Sequence, residues 1–457
     1  MIHIKERYDV MKIILLSGGS GKRLWPLSNE IRSKQFLKVV KSEENEIESM
    51  VQRVYRQLTS VTDAKITIAT SASQVESIKN QLGEKVSLVV EPERRNTFPA
   101  IALSAAYLRF EKYCNLDETV IVLPVDPYVD NNYFSMLNTL DKAVQENSAD
   151  IVLMGVKPTY PSEKYGYIIP KSTDKTVNPV LEFKEKPDSK TAEKYIANGA
   201  LWNCGVFAFK LSYLMDIVDS VVKSDKFDDV EKHYNVFEKT SFDYAVVEKA
   251  KSISVVSYNG EWKDLGTWNT LTEVMDSKPI GDVIVTEDCE NTHAINELEI
   301  PVIVMGAKDM VIAASPDGIL VADKVQSSYI KKYVEDRDMR PMFEERSWGE
   351  YKVLDFAIND DGTKSLTKRK KIKQGMKIEY QSHKNRSEVV TVISGKCIIT
   401  INDRAHEAYA GDTYAVAEGV KHGLEAVTDA EIIEIQVGKE LIADGTENFE
   451  EDKNSRI

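Results

Sequence analysis

The chain has 457 residues, 42% of them apolar and 29% charged, which is ordinary for a globular protein and leaves room for two or three domains. A formal net charge of −14 argues against a general polyanion binder, which needs a basic face, so nucleic acid is not an expected partner. No run approaches the roughly 18 apolar residues of a membrane span, and four scattered cysteines (Cys114, Cys204, Cys289, Cys397) without a CxxC pair fit a reducing cytoplasm rather than a disulfide framework.

In chain order, residues 1–10 are charged and read as a short tail, with Met11 a candidate second start. "KIILLS" (12–17) is a continuous apolar run ending at glycines, the pattern of a buried parallel strand followed by a loop. Further strands are expected at 65–70, 86–91, 119–124 and 150–156. Helices are expected near 45–60, 72–82, 98–113 and 131–147, with Thr97 as N-cap of the third and Pro99 in its first turn. This alternation predicts an α/β domain over 11–284, Rossmann-like with a mostly parallel sheet, with ligands at the carboxyl ends of its strands. After about residue 280 short β-like pieces broken by Gly, Pro and Asp predict a β-rich connector (285–335), a plausible self-association surface for a homo-oligomer. A charged helical stretch follows at 327–338, then an all-β domain (336–457) with an acidic end.

Residues just after strands carry the chemistry. In "SGGSGKR" (17–23) glycines let backbone N–H groups approach an anion and the following cations supply charge. Two common phosphate patterns fail: Arg23 stands where a P-loop needs Ser or Thr, and Leu24 where a dinucleotide fingerprint needs Gly. A plain turn remains open for the glycines alone. Asp126, directly after the 119–124 run, reads on its own more often as a turn residue than as a metal carboxylate.

The longer run "GGSGKRLWPLSNEIRSKQFL" (18–37) resembles the signature of sugar-1-phosphate nucleotidyltransferases, most of all the mannose-1-phosphate guanylyltransferase family, GGxGxRLWPLSRxxxPKQF. Asn29 replaces the family's usual Arg and Ser33 its Pro. The resemblance implies catalytic roles for Arg23 and Lys34, and a phosphate cradle from Gly18, Gly19 and Gly21. It implies Mg²⁺ held by Asp126 in "VLPVDPYV", where Pro127 replaces the family's His, and by Asp264 in "EWKDLGTW". "EFKEKP" (182–187) resembles FxEKP, which assigns Glu185 to the sugar and Lys186 to its phosphate. "LWNCGVFAF" and "PSEKYGYI" place Asn203, Glu163 and Gly166 near the hexose, and "EPERRNTFPAI" places Asn96 and Thr97 near the nucleotide. Asp243 in "FDYAVVEK" reads as a helix cap.

The C-terminal domain resembles the cupin of long bacterial guanylyltransferases, which is related to type II phosphomannose isomerase. "QSHKNRSEVVTVISG" (381–395) and "GDTYAVAEGVKHGLEA" (411–426) match the two cupin motifs, and "RSWGEY" (346–351) the usual entry. The resemblance offers Gln381, His383, Glu388 and His422 as ligands for Zn²⁺ or another divalent metal. Asn385 replaces an expected His, and the arginine-bearing end segment of the isomerases is not recognisable in "ADGTENFEED" (443–452).

The expected reaction is formation of GDP-mannose and pyrophosphate from GTP and mannose 1-phosphate by Mg²⁺-assisted in-line attack on the α-phosphate. Three alternatives stay open: the same reaction with another sugar phosphate or nucleotide, a mannose-6-phosphate isomerase activity in the cupin, and a non-catalytic sugar-nucleotide sensor.

Overall fold

The computed structural model describes residues 11–19, 21–29, 31–276, 278–335, 340–439, 441 and 446–448. The expected tail, 1–10, lies outside them, as do 336–338 of the expected charged helix. The chain divides into two compact units. One runs to Arg23 and takes in Ser33–Val75 and Lys85–Asp276; the other holds Leu24–Arg32, Glu76–Glu84 and the chain from 277 onward.

The first unit is built on β1 (Lys12–Ser17), β2 (Lys65–Ser71), β3 (Ser87–Glu91), β4 (Thr119–Pro124), β5 (Pro127–Val129), β6 (Ile151–Val156), β7 (Tyr167–Pro170), β8 (Val177–Lys184), β9 (Leu201–Lys210), β10 (Ile253–Tyr258) and β11 (Trp262–Asp264). Nine of these make one sheet in the order β3-β2-β1-β4-β9-β6-β10-β8-β7, while β5 and β11 form a separate antiparallel pair. The run β3-β2-β1-β4 is parallel, as expected from apolar strands alternating with helices. Beyond it the sheet is mixed. β9 enters antiparallel between β4 and β6, with its register shifted between Asn203 and Phe207, and β8 pairs antiparallel with β10 and β7. The unbroken parallel run therefore covers four of the nine strands; the antiparallel β9 interrupts it, and β6 and β10 are parallel again beyond it.

The helix Thr97–Phe110 is apolar on almost every side and is buried in the main core with Ile14, Val120, Phe207, Phe209 and Phe242. Its cap is Asn96, not Thr97. Asn96 takes φ 74° and its Oδ1 accepts from Thr97 N at 2.8 Å. Thr97 is the first helical residue instead, and its hydroxyl accepts from Phe242 N at 2.9 Å. The helix expected from residue 45 starts at Met50, because Ser49 and Gln52 form a capping box there. Residues 131–147 give two helices, Asn131–Ser135 and Leu137–Gln145.

In the second unit the connector forms a parallel pair, Val283–Val285 with Val302–Val304, and a three-stranded sheet of His293–Asn296, Met310–Ser315 and Gly318–Asp323. Two excursions of the chain are tied into this unit by polar contacts. Asn29 Nδ2 donates to Asp317 at 2.7 Å, Ser315 Oγ donates to Pro26 O at 2.7 Å and Arg32 makes a two-toothed pair with Glu297. Glu76 accepts from Ser347 N and Asn80 donates to Gly349 O. The arginine lost at Asn29 is thus replaced by a turn, since Asn29 Oδ1 also accepts from Ile31 N and Arg32 N. The remaining strands form two antiparallel sheets. One contains Gly349–Ile358, Lys364–Ile372, Ala430–Gly438 and Arg386–Ser394; the other contains Lys396–Ile401, His422–Ala426 and Lys377–His383. Their facing apolar residues include Val390, Val392, Ile399, Leu424 and Ile432. No helix among the described residues is long and apolar enough to cross a membrane, and all four cysteines are free thiols.

Candidate active site

The carboxyl ends of the parallel strands open onto a cavity of about 420 Å³, lined by Gly18, Gly19, Gln35, Ser71, Glu91, Arg94, Asn96, Thr97 and Asp126 among others. Gly19 has φ 126°, and a Cβ at Gly18 or Gly19 would meet open space, so only backbone faces the cavity there. Ser33 holds this turn: its hydroxyl donates to Gly19 O at 3.0 Å and accepts from Gln74 Nε2 at 2.6 Å. The family's proline is thus replaced by a hydrogen-bonded restraint. Gly21 is buried, and Arg23 is exposed in the single turn Lys22–Leu24.

Lys34 is the centre of the charge arrangement. Its Nζ lies 2.6 Å from Asp126 Oδ2 and 3.3 Å from Asp264 Oδ1. Asp126 immediately precedes β5 and Asp264 ends β11, more than a hundred residues further on; they are brought together because Asp264 pairs with Pro127 of β5. Burial alone would discharge the lysine, but Asp126 and then Asp264 outweigh it and hold the ammonium protonated, above the ordinary lysine value. Gly266 leaves room for the second carboxylate, since a Cβ there would approach Asp264 to 3.3 Å. Two carboxylates sharing one cation, each about one-third exposed, are a donor set suited to Mg²⁺ with water and phosphate oxygens completing its shell.

A second cluster gathers around β8 and β9. Glu185 is buried and ion-paired with Lys186, whose backbone takes φ 46°. Gly166 has no room for a side chain: a Cβ would sit 2.5 Å from Glu185 Oε2, 3.1 Å from Phe183 and 3.3 Å from Asn203. Asn203 N donates to Gly166 O, and its side-chain Nδ2 donates to Asp243 at 2.8 Å. The structure therefore brings together Gly166, Glu185, Lys186 and Asn203. It adds Asp243, which is not the helix cap expected; Ser241 caps that turn. Burial and the neighbouring Glu185 push Asp243 up to about 6. Glu163 is not part of this group. It is exposed and accepts from Ser189 N at the start of the helix Ser189–Ala197. Beside the cluster, Tyr165 packs against Trp202 and Trp262 (4.8 and 5.5 Å between centroids), an aromatic wall that no sequence motif announced. Asp264, and less strongly Asp126, adds to burial in raising the Tyr165 phenol.

These observations meet the comparison with known proteins. The model of the family "Nucleotidyl transferase" matches residues 12–279. The chain belongs to this family. Its second part, 335–451, matches the family "Mannose-6-phosphate isomerase C-terminal". Two curated relatives align with nearly the whole chain. The xanthan biosynthesis protein XanB of Xanthomonas campestris is 31% identical, over 97% of this chain and 98% of its own. The mannose-1-phosphate guanylyltransferase ManC of Salmonella typhimurium is 29% identical, over 97% and 98%. Among solved structures, that described as mannose-1-phosphate geranyltransferase from Thermus thermophilus is 27% identical with a TM-score of 0.59, covering 71% of this chain and 98% of its own. Nucleotidyl transferases act on a nucleoside triphosphate and a sugar 1-phosphate and generally use a divalent metal.

In the isomerase-related part, His383, Glu388 and His422 converge, all buried. His422 Nε2 lies 3.1 Å from Glu388 Oε2, and His383 Nε2 lies 3.2 Å from Glu388 Oε1. Arg386 shares the group, with Nη2 at 2.9 Å from His383 Nε2 and Nε donating to Glu388 Oε1 at 2.9 Å. Burial lowers His383 to about 4, which keeps its imidazole neutral, while the His422 hydrogen bond and the Lys370 charge oppose burial and hold Glu388 ionised. A neutral imidazole and a carboxylate are suitable metal ligands, and an ion there would share them with the Arg386 guanidinium. Gln381 stands opposite His422 in the strand pairing.

Proposed function

We propose that the chain makes GDP-mannose and pyrophosphate from GTP and mannose 1-phosphate. The observation that carries this reading is the convergence of Lys34, Asp126 and Asp264 beside a glycine-lined cavity, with the Glu185–Lys186–Asn203 cluster in the same unit. A phosphate oxygen of mannose 1-phosphate attacks the α-phosphorus of GTP, the bond from that phosphorus to the bridging oxygen breaks, and pyrophosphate leaves. Two polyanions must meet, so the chemistry is mainly positioning and charge neutralisation.

Asp126 and Asp264 would hold Mg²⁺, which supplies a Lewis acid for the phosphate oxygens. Lys34 and Arg23 neutralise the triphosphate and its developing charge. The backbone of Gly18, Gly19 and Gly21 takes phosphate oxygens, and Asn96 and Thr97 face the nucleotide at a helix start. Lys186 takes the sugar phosphate. Glu185 and Asn203 accept and donate to hexose hydroxyls at Gly166, and Glu163 orders the loop beside them. Four free thiols support a reducing compartment, the cytoplasm.

The test is pyrophosphate release across a panel of nucleoside triphosphates and sugar 1-phosphates. GTP with mannose 1-phosphate should be fastest. A faster pair would replace this substrate assignment, and tight nucleotide binding with no release would make the chain a sensor. The trio His383, Glu388 and His422 supports a second reading, a divalent metal site in the cupin. Metal analysis of the purified protein, with an assay for mannose-6-phosphate isomerisation, tests it.

A further inference from the structure

Between the two cations assigned to the triphosphate lies an arm of chain that the chemistry above does not use. Arg23 and Ser33 belong to the first unit, and Leu24–Arg32 between them belongs to the second. The family pattern leaves position 32 open, so the resemblance gives Arg32 no role. Arg32 is nevertheless only 8% exposed. Its Nη1 and Nη2 donate to the two carboxylate oxygens of Glu297 at 2.7 and 2.9 Å. Its guanidinium also lies over the Phe343 ring, 4.8 Å from the ring centre. Burial works against this charge, but Glu297, and after it Glu345 and Asp317, outweigh burial and raise Arg32 above its ordinary value.

The rest of the arm is seated by neighbouring groups. Asn29 N donates to Arg32 O at 2.9 Å, which closes the turn, and Asn29 Nδ2 reaches Asp317. The other oxygen of Asp317 accepts from Met342 N at 2.6 Å, directly before the strand Phe343–Arg346. A Cβ at Gly318 would lie 2.5 Å from the Trp25 indole, so that ring packs on bare backbone. Leu24 and Leu27 are buried. A buried ion pair adds little net stability over an apolar pair, and its best-attested use is to fix one register. A two-toothed arginine pair sets angle as well as distance. Leu24 adjoins Arg23, and Arg32 stands two residues before Lys34, within about 7 Å along the chain.

We propose that the Arg32–Glu297 pair is a positioning clamp for phosphate transfer. By seating the arm it sets where Arg23 and Lys34 meet the triphosphate. The inference rests on the nucleotidyl-transfer reading above. Arg32 and Glu297, 265 residues apart in the sequence, act on the reaction through the cations and not by touching substrate. A displacement of about 1 Å in a positioned group can cost on the order of 10² in rate, so a modest loosening of the arm is enough to be read in turnover.

The experiment uses the full chain and measures pyrophosphate release from GTP and mannose 1-phosphate. The variants are Arg32→Met, Glu297→Gln, the two combined, and Phe343→Leu, which removes the ring and keeps the ion pair. Arg32→Met should lower kcat by roughly 10- to 100-fold, and Phe343→Leu by a few-fold. The KM for mannose 1-phosphate should stay within about twofold, because Glu185, Lys186 and Asn203 stand on or just after β8 and β9, away from the arm in the chain. The combined variant should lose no more turnover than the worse single one, since both changes break one contact. Thermal melts set an assay temperature at which each variant is folded. Should Arg32→Met fail to fold, Glu297→Gln and Phe343→Leu decide by the same readouts. Wild-type kcat in the folded variants, losses that multiply in the combined variant, or a KM for mannose 1-phosphate that rises as far as kcat falls would overturn the clamp. A wild type that releases no pyrophosphate would instead overturn the transfer reading itself.

Discussion

Lys34→Met keeps an unbranched side chain one atom shorter and removes its charge, and its effects separate two roles. The ammonium contacts both carboxylates, at 2.6 and 3.3 Å. A pair of unit charges about 4 Å apart gives on the order of 4 kcal/mol at an effective dielectric of 20. The three side chains are 25–34% exposed, so screening cuts this to about 2 kcal/mol per carboxylate. A divalent ion must take over these same oxygens from the lysine. Without Lys34 the metal should therefore bind the nucleotide-free protein more tightly, by roughly tenfold or more, while turnover falls by about 10²–10³ through loss of a preorganised cation. Calorimetric titration with Mn²⁺ in the absence of nucleotide reads the first effect, and pyrophosphate release the second. Unchanged or weaker Mn²⁺ binding would refute the reasoning, because it would mean that Lys34 and the metal do not share Asp126 and Asp264.

Gly166→Ala should raise the KM for mannose 1-phosphate by about tenfold or more and leave the KM for GTP unchanged, since its Cβ displaces the Glu185 carboxylate. Equal changes for both substrates would contradict this. Asp243 binds its proton more tightly in the folded chain, so its ionisation works against folding as pH rises from about 4 through 6. Asp243→Asn should therefore gain thermal stability relative to the wild type across that window, and a pH-independent difference would show that Asp243 is not the responsible group. Glu388→Gln leaves Arg386 buried without its carboxylate and should cost about 3–5 kcal/mol in urea unfolding of the second unit; a loss under about 1 kcal/mol would mean that the site relaxes or admits water.

The parallel half of the sheet was legible because its strands are unbroken apolar runs: β4 occupies the residues that "TVIVLP" predicts. The β5–β11 pair was not. Each strand has three residues, too few for periodicity, and more than 130 residues separate them, so only tertiary pairing reveals how Asp126 and Asp264 meet. Their grouping with Lys34 was inferred from family resemblance and not from spacing. Asp243 was read as a cap because a turn start is the commonest place for Asp, and nothing local indicated that Asn203 would claim it. Glu91 gave one local signal, an acid followed by proline at the end of an apolar strand. The attachment of Leu24–Arg32 and Glu76–Glu84 to the second unit depends on partners such as Asp317 and Ser347, more than 250 residues away.

Ser33 has a consequence for how this sequence can change. Thr70 donates to Gln74, Gln74 to Ser33, and Ser33 to the Gly19 carbonyl, a relay through three buried side chains whose donors all point the same way. Restoring the family's proline at position 33 would strand the Gln74 amide and take the partner from the Gly19 carbonyl in one step. Proline at position 33 is therefore compatible with this turn only together with a second change at Gln74.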